Sequence, residues 1–480
     1  MTKRRSRDSK SAEAPPSSAE ISQAVFRVGN GAGFSGDRVD APGPVVDTLI
    51  AHGGPAALFF EVLGERTVAL AQLERRRDPA RGYEPMLERL IEPILARCAR
   101  HGIPIVGNFG AANPPGAAPV IAALAVRAGI PDLRIATVEG DDIRGCVDLG
   151  RHEVYEADAG LDPQTGELVS ANAYLTAQPM VQALEKGAQV VVTGRTGDPS
   201  LALAPLIHHF GWSAQDWSRL AAGALAGHLL ECGAQVTGGY YYDPGFKDVP
   251  DPANIGFPIA EVSADGGLTV TKANGTGGVV NAQTVKEQLL YEVHDPANYI
   301  TPDVALDLTG VTVRERGKDR VEVAGVRGKP APERLKVIAC FEGGWLGEGE
   351  VSVAGPNCLA RARMAAQVLH ERLRRRGLDV RARVDLIGVA SVHDSDSGAL
   401  WRSHQGPAPA EVRVRLAASG LREDDVDQAA REVLALLCCG PAGNGGARWR
   451  TTQRIRTQSY LVPRSAIEHR VTLAAARELA

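Results

Sequence analysis

Val25-Phe-Arg-Val-Gly-Asn-Gly-Ala-Gly-Phe-Ser-Gly-Asp-Arg38 joins a short apolar run to a segment with four glycines and an Asp-Arg pair. The apolar start reads as a strand, and the rest as a ligand loop at the mouth of a parallel sheet. Glycine lets backbone N–H groups crowd around an anion, and the helix predicted near Pro42 adds a positive dipole end. Gly31, Gly33, Ser35, Gly36, Asp37 and Arg38 are therefore anion-binding candidates, with Arg38 as a bidentate clamp that Asp37 orients. The rival reading is a tight turn closed by an internal Asp37–Arg38 pair. The spacing matches neither the dinucleotide fingerprint nor a P-loop.

Working outward, short apolar runs alternate with helical segments: VFRV, ALFF, IPIVGN, LRIATVE and AQVVVTG, with helices from Pro42, over 84–101 and around 114–128. The alternation predicts a doubly wound α/β domain with a mostly parallel sheet. Ligands of such sheets sit beyond the carboxyl ends of the strands. Polar strings follow each strand end here: the glycine loop, Glu61, Asn108, Glu139-Gly-Asp141-Asp142 and Thr193-Gly-Arg195. These five loops are expected to converge on one cleft. Residues 256–330 change to a hairpin pattern and alternating segments, an antiparallel addition to the main sheet. Residues 334–465 follow the order β-α-β-β-α-β of a C-terminal ferredoxin-like α+β domain, with 391–409 as its hairpin loop. The expected organisation is a disordered basic tail over 1–23, a main domain over 24–333, the ferredoxin-like domain over 334–465, and a tail or helix over 466–480. Residues 158–167 are expected to be a surface turn.

At 480 residues and 44% hydrophobic content, the chain can bury one large and one small core. A net charge of −4 and 5% aromatic content argue against binding to nucleic acid or anionic membranes. Seven cysteines without a C-x-x-C suggest neither a disulfide framework nor a zinc ribbon, which fits a reducing cytoplasm. The basic N-terminal stretch has no apolar run behind it, so neither a signal peptide nor a membrane span is expected.

Glu139, Asp141 and Asp142 crowd three carboxylates into four residues, which raises the pKa of at least one if they share a cavity. That suits general acid/base work; helix capping is the alternative, and the spacing specifies no hard-cation site, leaving a divalent metal open. Thr193, Arg195 and Asp198 offer a hydroxyl, a cation and a carboxylate for a substrate carbonyl, against a structural Arg–Asp pair. Lys272 and the loop Asn274-Gly-Thr276-Gly277-Gly278 form a second glycine-rich helix entrance. Glu292 and His294 form an acid/base pair by residue type, or a helix C-terminal dipole partner. His228 and Glu231, three apart on an Ala/Leu-rich helix, read as packed core with a paired histidine. Tyr240, Tyr241 and Tyr242 with Lys247 read as a cleft wall or a contact to a partner subunit. No nucleophile signature is present.

The strings GAGFSGDR (31–38), NFGAANPPGAA (108–118), TGRTGDPSLALAPL (193–206), AAGALAGHLLECGAQVTGGYYYDPGFKDVPD (221–251), KANGTGGVVNAQTVKEQLLYEVHDPANYITPDV (272–304) and GWLGEGEVSVAGP (344–356) occur in this order. The chain thereby resembles the acyclic terpene utilisation protein AtuA family. The resemblance implies breakdown of branched acyclic terpenoids through coenzyme A thioesters, near a lyase or hydration step on a branched 3-hydroxyglutaryl-CoA-type intermediate. It implies a small-molecule substrate, no tightly bound cofactor, and coenzyme A entering as part of the substrate; a homo-oligomer is expected separately, because the small domain offers an exposed sheet edge and face that are commonly buried between subunits. Proton transfer is then assigned to Glu139, Asp141 or His294, and polarisation to Arg195 and Lys272. Anchoring falls to the glycine loops, with Asn108 and Asn113 as further binding candidates. Two alternatives stand: a biosynthetic tailoring enzyme acting on another acid, and a non-catalytic binding or assembly subunit.

Overall fold

The computed structural model describes residues 25–157, 166–407 and 409–480. The basic tail expected over 1–23 and most of the turn over 158–167 lie outside the described residues. The chain divides into two compact units, one built from the described part of residues 1–156 with 170–338 and 459–480, the other from the remainder of 157–458.

The first unit is a mixed α/β structure around a ten-stranded sheet. In chain order its strands are β1 (Val25–Ala32), β2 (Ala56–Phe60), β3 (Ile105–Gly107), β4 (Arg134–Glu139), β5 (Val190–Thr193), β6 (Pro258–Ser263), β7 (Leu268–Lys272), β8 (Thr312–Gly317), β9 (Arg320–Ala324) and β10 (Arg470–Ala475). Their spatial order is β8-β9-β7-β6-β1-β2-β3-β5-β4-β10. The neighbours β1-β2-β3-β5-β4 pair in parallel. Every other pairing is antiparallel. The expectation of a mostly parallel sheet is corrected accordingly: only the central five strands are parallel. The hairpin segments extend one edge, and the C-terminal residues expected as a tail or helix add β10 at the other. Six-residue pairing of β10 with β4 satisfies backbone groups that β4 would otherwise leave as a bare edge.

The central strands are continuous apolar runs because both faces are covered. Leu58 and Phe60 enter one core with Val45 and Leu49 of helix α1 (Pro42–His52) and Ile121 of the helix Pro114–Arg127. Ala57 and Phe59 enter the other core with Leu203 of the helix Ser200–Phe210 and Leu225 of the helix Trp217–Leu230.

β1 runs to Ala32, four residues past the predicted strand, so Gly29 and Gly31 belong to the sheet rather than to a loop. Space explains them: a Cβ on Gly29 would fall 2.5 Å from Val45 Cγ1, and one on Gly31 2.5 Å from the Phe60 ring.

The second unit contains most of the strand Arg334–Ala354, helix Cys358–Arg376, strands Arg381–Ile387 and Glu411–Gly420, helix Glu423–Cys439 and most of the strand Asn444–Pro463. Glu411–Gly420 lies between Arg381–Ile387 and Arg334–Ala354, antiparallel to both. Its core includes Val351, Leu369, Leu416 and Trp401. Trp401 comes from a short helix (Ala399–Ser403) in the segment expected to be only a hairpin loop, and its indole donates to the Val384 carbonyl at 3.1 Å.

Candidate functional site

The carboxyl ends of β2, β3, β4 and β5 bring Glu61, Asn108, Asp141 and Arg195 together, around the guanidinium of Arg195. Its side chain is only 3% exposed. It donates to Asp198 Oδ1 at 2.6 Å and to the Leu63 carbonyl. Glu61 and Glu65 stand 3.9 and 3.8 Å from it, and the Tyr174 ring lies beneath it, 4.1 Å from centroid to guanidinium carbon. Asp141 is a scaffold for this arrangement. Its Oδ2 accepts from the Arg195 backbone N–H and from Asn172, each at 2.8 Å. Gly194 allows that approach, since a Cβ there would fall 2.5 Å from both Asp141 oxygens.

Asn108 fixes Glu61. Its Nδ2 donates to Glu61 Oε1 at 2.8 Å, while its own carbonyl accepts the Val62 N–H at 2.7 Å. The same Glu61 oxygen accepts the Leu63 N–H at 3.0 Å. Tyr174 fixes Glu65, its hydroxyl donating to Oε1 at 2.5 Å.

These surroundings drive the two glutamates apart. Burial, then the Asp198 charge, pushes Glu61 from the ordinary 4.5 to about 8, although Arg195 opposes this. Burial also pushes Glu65 upward, but Arg195 and the Tyr174 hydroxyl outweigh it and leave Glu65 below the ordinary value. Near neutral pH, Glu61 is thus mainly a carboxylic acid and Glu65 a carboxylate. Burial raises Asp198 as well, against the pull of Arg195, and raises Asp141 to about 6. Solvent reaches the group through Glu65 and Asp198, whose side chains are 41% and 30% exposed.

The remaining predicted residues fall outside this arrangement or support it from a distance. Glu139 pairs with Arg470 of β10 at 2.6 Å on the sheet edge, and Asp142 pairs with Arg144 at 2.7 Å. His294 is exposed, and it is Glu292, with φ at 58°, whose charge acts on Asp198. Asp37 does not orient the Arg38 guanidinium; its carboxylate accepts the N–H groups of Gly33 and Arg38 at 2.9 and 2.7 Å. Arg38 instead holds Asp40 and the Ile255 carbonyl, at 2.7 and 2.9 Å. Ser35 and the Gly36 N–H bond Glu84. Asn113 caps its helix, accepting the Gly116 N–H at 3.2 Å. Thr193 is fully buried, and among the described residues its hydroxyl has no partner. Lys272 donates to the Thr276 carbonyl at 2.8 Å, and Gly277 and Gly278 pack closely on the backbones of Asp251 and Thr237. In both glycine loops the charged side chains are thus engaged by the protein itself.

Glu65 and Tyr174 were not singled out from the sequence. Glu65 opens the helix Glu65–Arg77 and resembles any acidic residue in a first turn, while Tyr174 lies 109 residues away. A cavity of about 440 Å³ lies at the opposite end of the parallel strands, lined by Phe26, Ala56, Ile103, Gln189, His208 and His209. It touches none of the carboxyls around Arg195, and ligands of parallel sheets bind at carboxyl ends, so the site is assigned there. Among the described residues no three His, Cys, Asp or Glu side chains are grouped to hold a metal ion.

The family model described as acyclic terpene utilisation family protein AtuA matches residues 26–473. No curated protein matches the chain. Among solved structures, the de novo designed protein Foldit4 is similar to part of it, at 13% identity over 23% of this chain and 97% of that one, with a TM-score of 0.17.

Proposed function

Because the chain belongs to the acyclic terpene utilisation protein AtuA family, we propose that it is an enzyme whose reaction is proton transfer at the Arg195 site, namely a lyase or hydro-lyase acting on a branched, carboxylated acyl-CoA or related acid. The observation that carries this reading is the division of labour between Glu61 and Glu65: two carboxyls on one guanidinium, one held protonated and the other ionised. Separated pKa values of this kind mark an acid and a base in one site. For a C–O lyase step, Glu65 takes the proton from the carbon next to the carbonyl and the carbon–carbon double bond forms. The carbon–oxygen bond breaks as Glu61 gives its proton to the departing hydroxyl, which leaves as water. Arg195 stands within 4 Å of both carboxyls and holds Glu65 ionised by its charge. Its bonds to Asp198 and the Leu63 carbonyl make it an organiser of the acid/base pair rather than a free anion clamp.

This reading also treats the βαββαβ unit as a ferredoxin-like module of a cytoplasmic homo-oligomer, the exposed edge and face of such a sheet being commonly covered by another subunit. The test is turnover of branched, carboxylated acyl-CoA thioesters by purified protein, with products identified by mass spectrometry. Glu61→Gln and Glu65→Gln should each lower the rate by roughly 10²- to 10⁴-fold. Turnover unchanged in both variants would remove the proposed chemistry.

A further inference from the structure

Lys336 lies in the otherwise apolar run Leu335-Lys-Val-Ile-Ala-Cys340, near the start of the strand Arg334–Ala354, and pairing of that strand with the strand Leu168–Ala173 brings it beside Tyr174. The Lys336 carbonyl accepts the Tyr174 N–H at 3.0 Å, and its Nζ stands 5.6 Å from the centre of the Tyr174 ring, within the range of a cation–π contact. The same ring centre is 4.1 Å from the Arg195 guanidinium carbon, and the Tyr174 hydroxyl donates to Glu65 Oε1 at 2.5 Å. Tyr174 therefore connects the Lys336 ammonium to both Arg195 and Glu65 through direct contacts, and all four residues belong to one compact unit.

The two cations differ in freedom. Arg195 is buried and spends N–H groups on Asp198 and the Leu63 carbonyl. Lys336 is half-buried, and its ammonium carries three donors on a flexible four-carbon stem, so it can reach a ligand while keeping contacts with the protein. The entrance to the site calls for such a group. Solvent reaches the site past Glu65 and Asp198, and Glu65 is ionised, so an entering carboxylate meets a like charge there. Arg195 is already committed to the protein's own carboxyls. The charge of Lys336 also acts on Glu65, which puts the ammonium on the side of the site where the ligand enters.

We propose that Lys336 is the anion anchor of the Arg195 site: its ammonium takes the free carboxylate of the ligand and so selects acids over neutral acyl groups. The inference rests on the function proposed above for its ligand class. It makes Lys336 a specificity-determining residue, distinct from the acid/base pair Glu61 and Glu65, and gives the site the ligand cation that Arg195, held by the protein, does not supply. An ammonium offsets the charge of an acid that must lie beside the Glu65 carboxylate, and its hydrogen bond to a carboxylate is of the strong, charge-assisted kind.

The test compares two thioesters that differ by one carboxylate, 3-methylglutaryl-CoA and isovaleryl-CoA, with affinities read from the rise of thermal stabilisation with ligand concentration. The wild-type protein should bind the carboxylated probe roughly 10- to 100-fold more tightly, the range of a charge-assisted hydrogen bond. Lys336→Met should lose that preference and bind both probes about as wild type binds isovaleryl-CoA, while Lys336→Arg, which keeps the charge, should retain a preference. The Arg variant and the wild-type comparison test the idea even if the Met variant fails to fold. Equal binding of the two probes by wild type, a preference that survives in Lys336→Met, one that Lys336→Arg loses, or an affinity that falls equally for both probes in Lys336→Met, overturns the carboxylate contact alone. No binding of either probe overturns the proposed ligand class together with it.

Discussion

Replacing Glu61 by glutamine should make the protein more stable in alkaline solution and leave it nearly unchanged in acid. The side chain is 13% exposed, and its Oε1 accepts from Asn108 Nδ2 at 2.8 Å and the Leu63 N–H at 3.0 Å. The amide oxygen of glutamine can accept both bonds, so the substitution removes the ionisation and little else. Glu61 is raised from the ordinary 4.5 to about 8 by burial and by Asp198. Between those limits the native state holds a proton that the unfolded chain has released, so the stability linked to Glu61 is fully present below 4.5, falls as pH rises, and levels off above 8. At about 1.4 kcal/mol per pH unit, wild type should lose roughly 3–5 kcal/mol relative to Glu61→Gln over this window. Paired urea denaturation at pH 5, 7 and 9, followed by circular dichroism, measures the difference, in which the titrations common to both proteins largely cancel. Parallel stability profiles for the two proteins across that range would refute the assignment of Glu61 as a neutral buried acid, and with it the acid half of the proposed mechanism.

His228 carries the opposite sign. Its value of about 4 in the fold, against an ordinary 6.5, makes wild type lose stability as pH falls through that interval, by about 3 kcal/mol in total, and His228→Phe should lack this slope in the same denaturation series. Arg195→Met leaves Glu61, Glu65 and Asp198 without their cation and should cost about 3–5 kcal/mol in the urea midpoint at pH 8. The cost should shrink toward pH 5 as the carboxyls protonate, and a pH-independent cost would count against the charge argument. Gly227→Ala gains helix propensity but pushes a methyl into the Pro199 backbone, so a net loss of about 1–3 kcal/mol is expected; a stabilised variant would show that the contact has room. Arg38→Ala removes a pair whose side chains are 35% and 68% exposed and should change the midpoint by less than about 1 kcal/mol.

How far the sequence could be read follows from how local each signal is. AALFF at 56–60 and VVV at 190–192 are legible as strands because burial on both faces removes every polar residue from the run, a property the run itself displays. The polar residues just after them were legible as site candidates for the same reason, since a polar residue at the end of a buried strand marks where the strand leaves the core. What the site does with those residues depends on partners far along the chain. Arg195 looks like a free anion clamp until Glu61 and Glu65 arrive from 134 and 130 residues away, and Glu65 looks like an ordinary first-turn acid until Tyr174 reaches it. The same limit applies to β10, whose Arg470–Ala475 pattern is weak alone and is fixed as a strand only by pairing with β4. Glycines are the sharpest case. Gly29, Gly31, Gly33 and Gly36 form one cluster in sequence, yet the first two are strand positions cleared for Val45 and Phe60, Gly33 is cleared for the turn after Glu231, and Gly36 alone takes a positive φ, of 87°. A cluster that reads as one anion-binding loop is therefore three separate solutions to packing. One of them brings the end of β1 against Cys232, just past the helix Trp217–Leu230, so the glycine signal there marks a backbone contact rather than a bound anion.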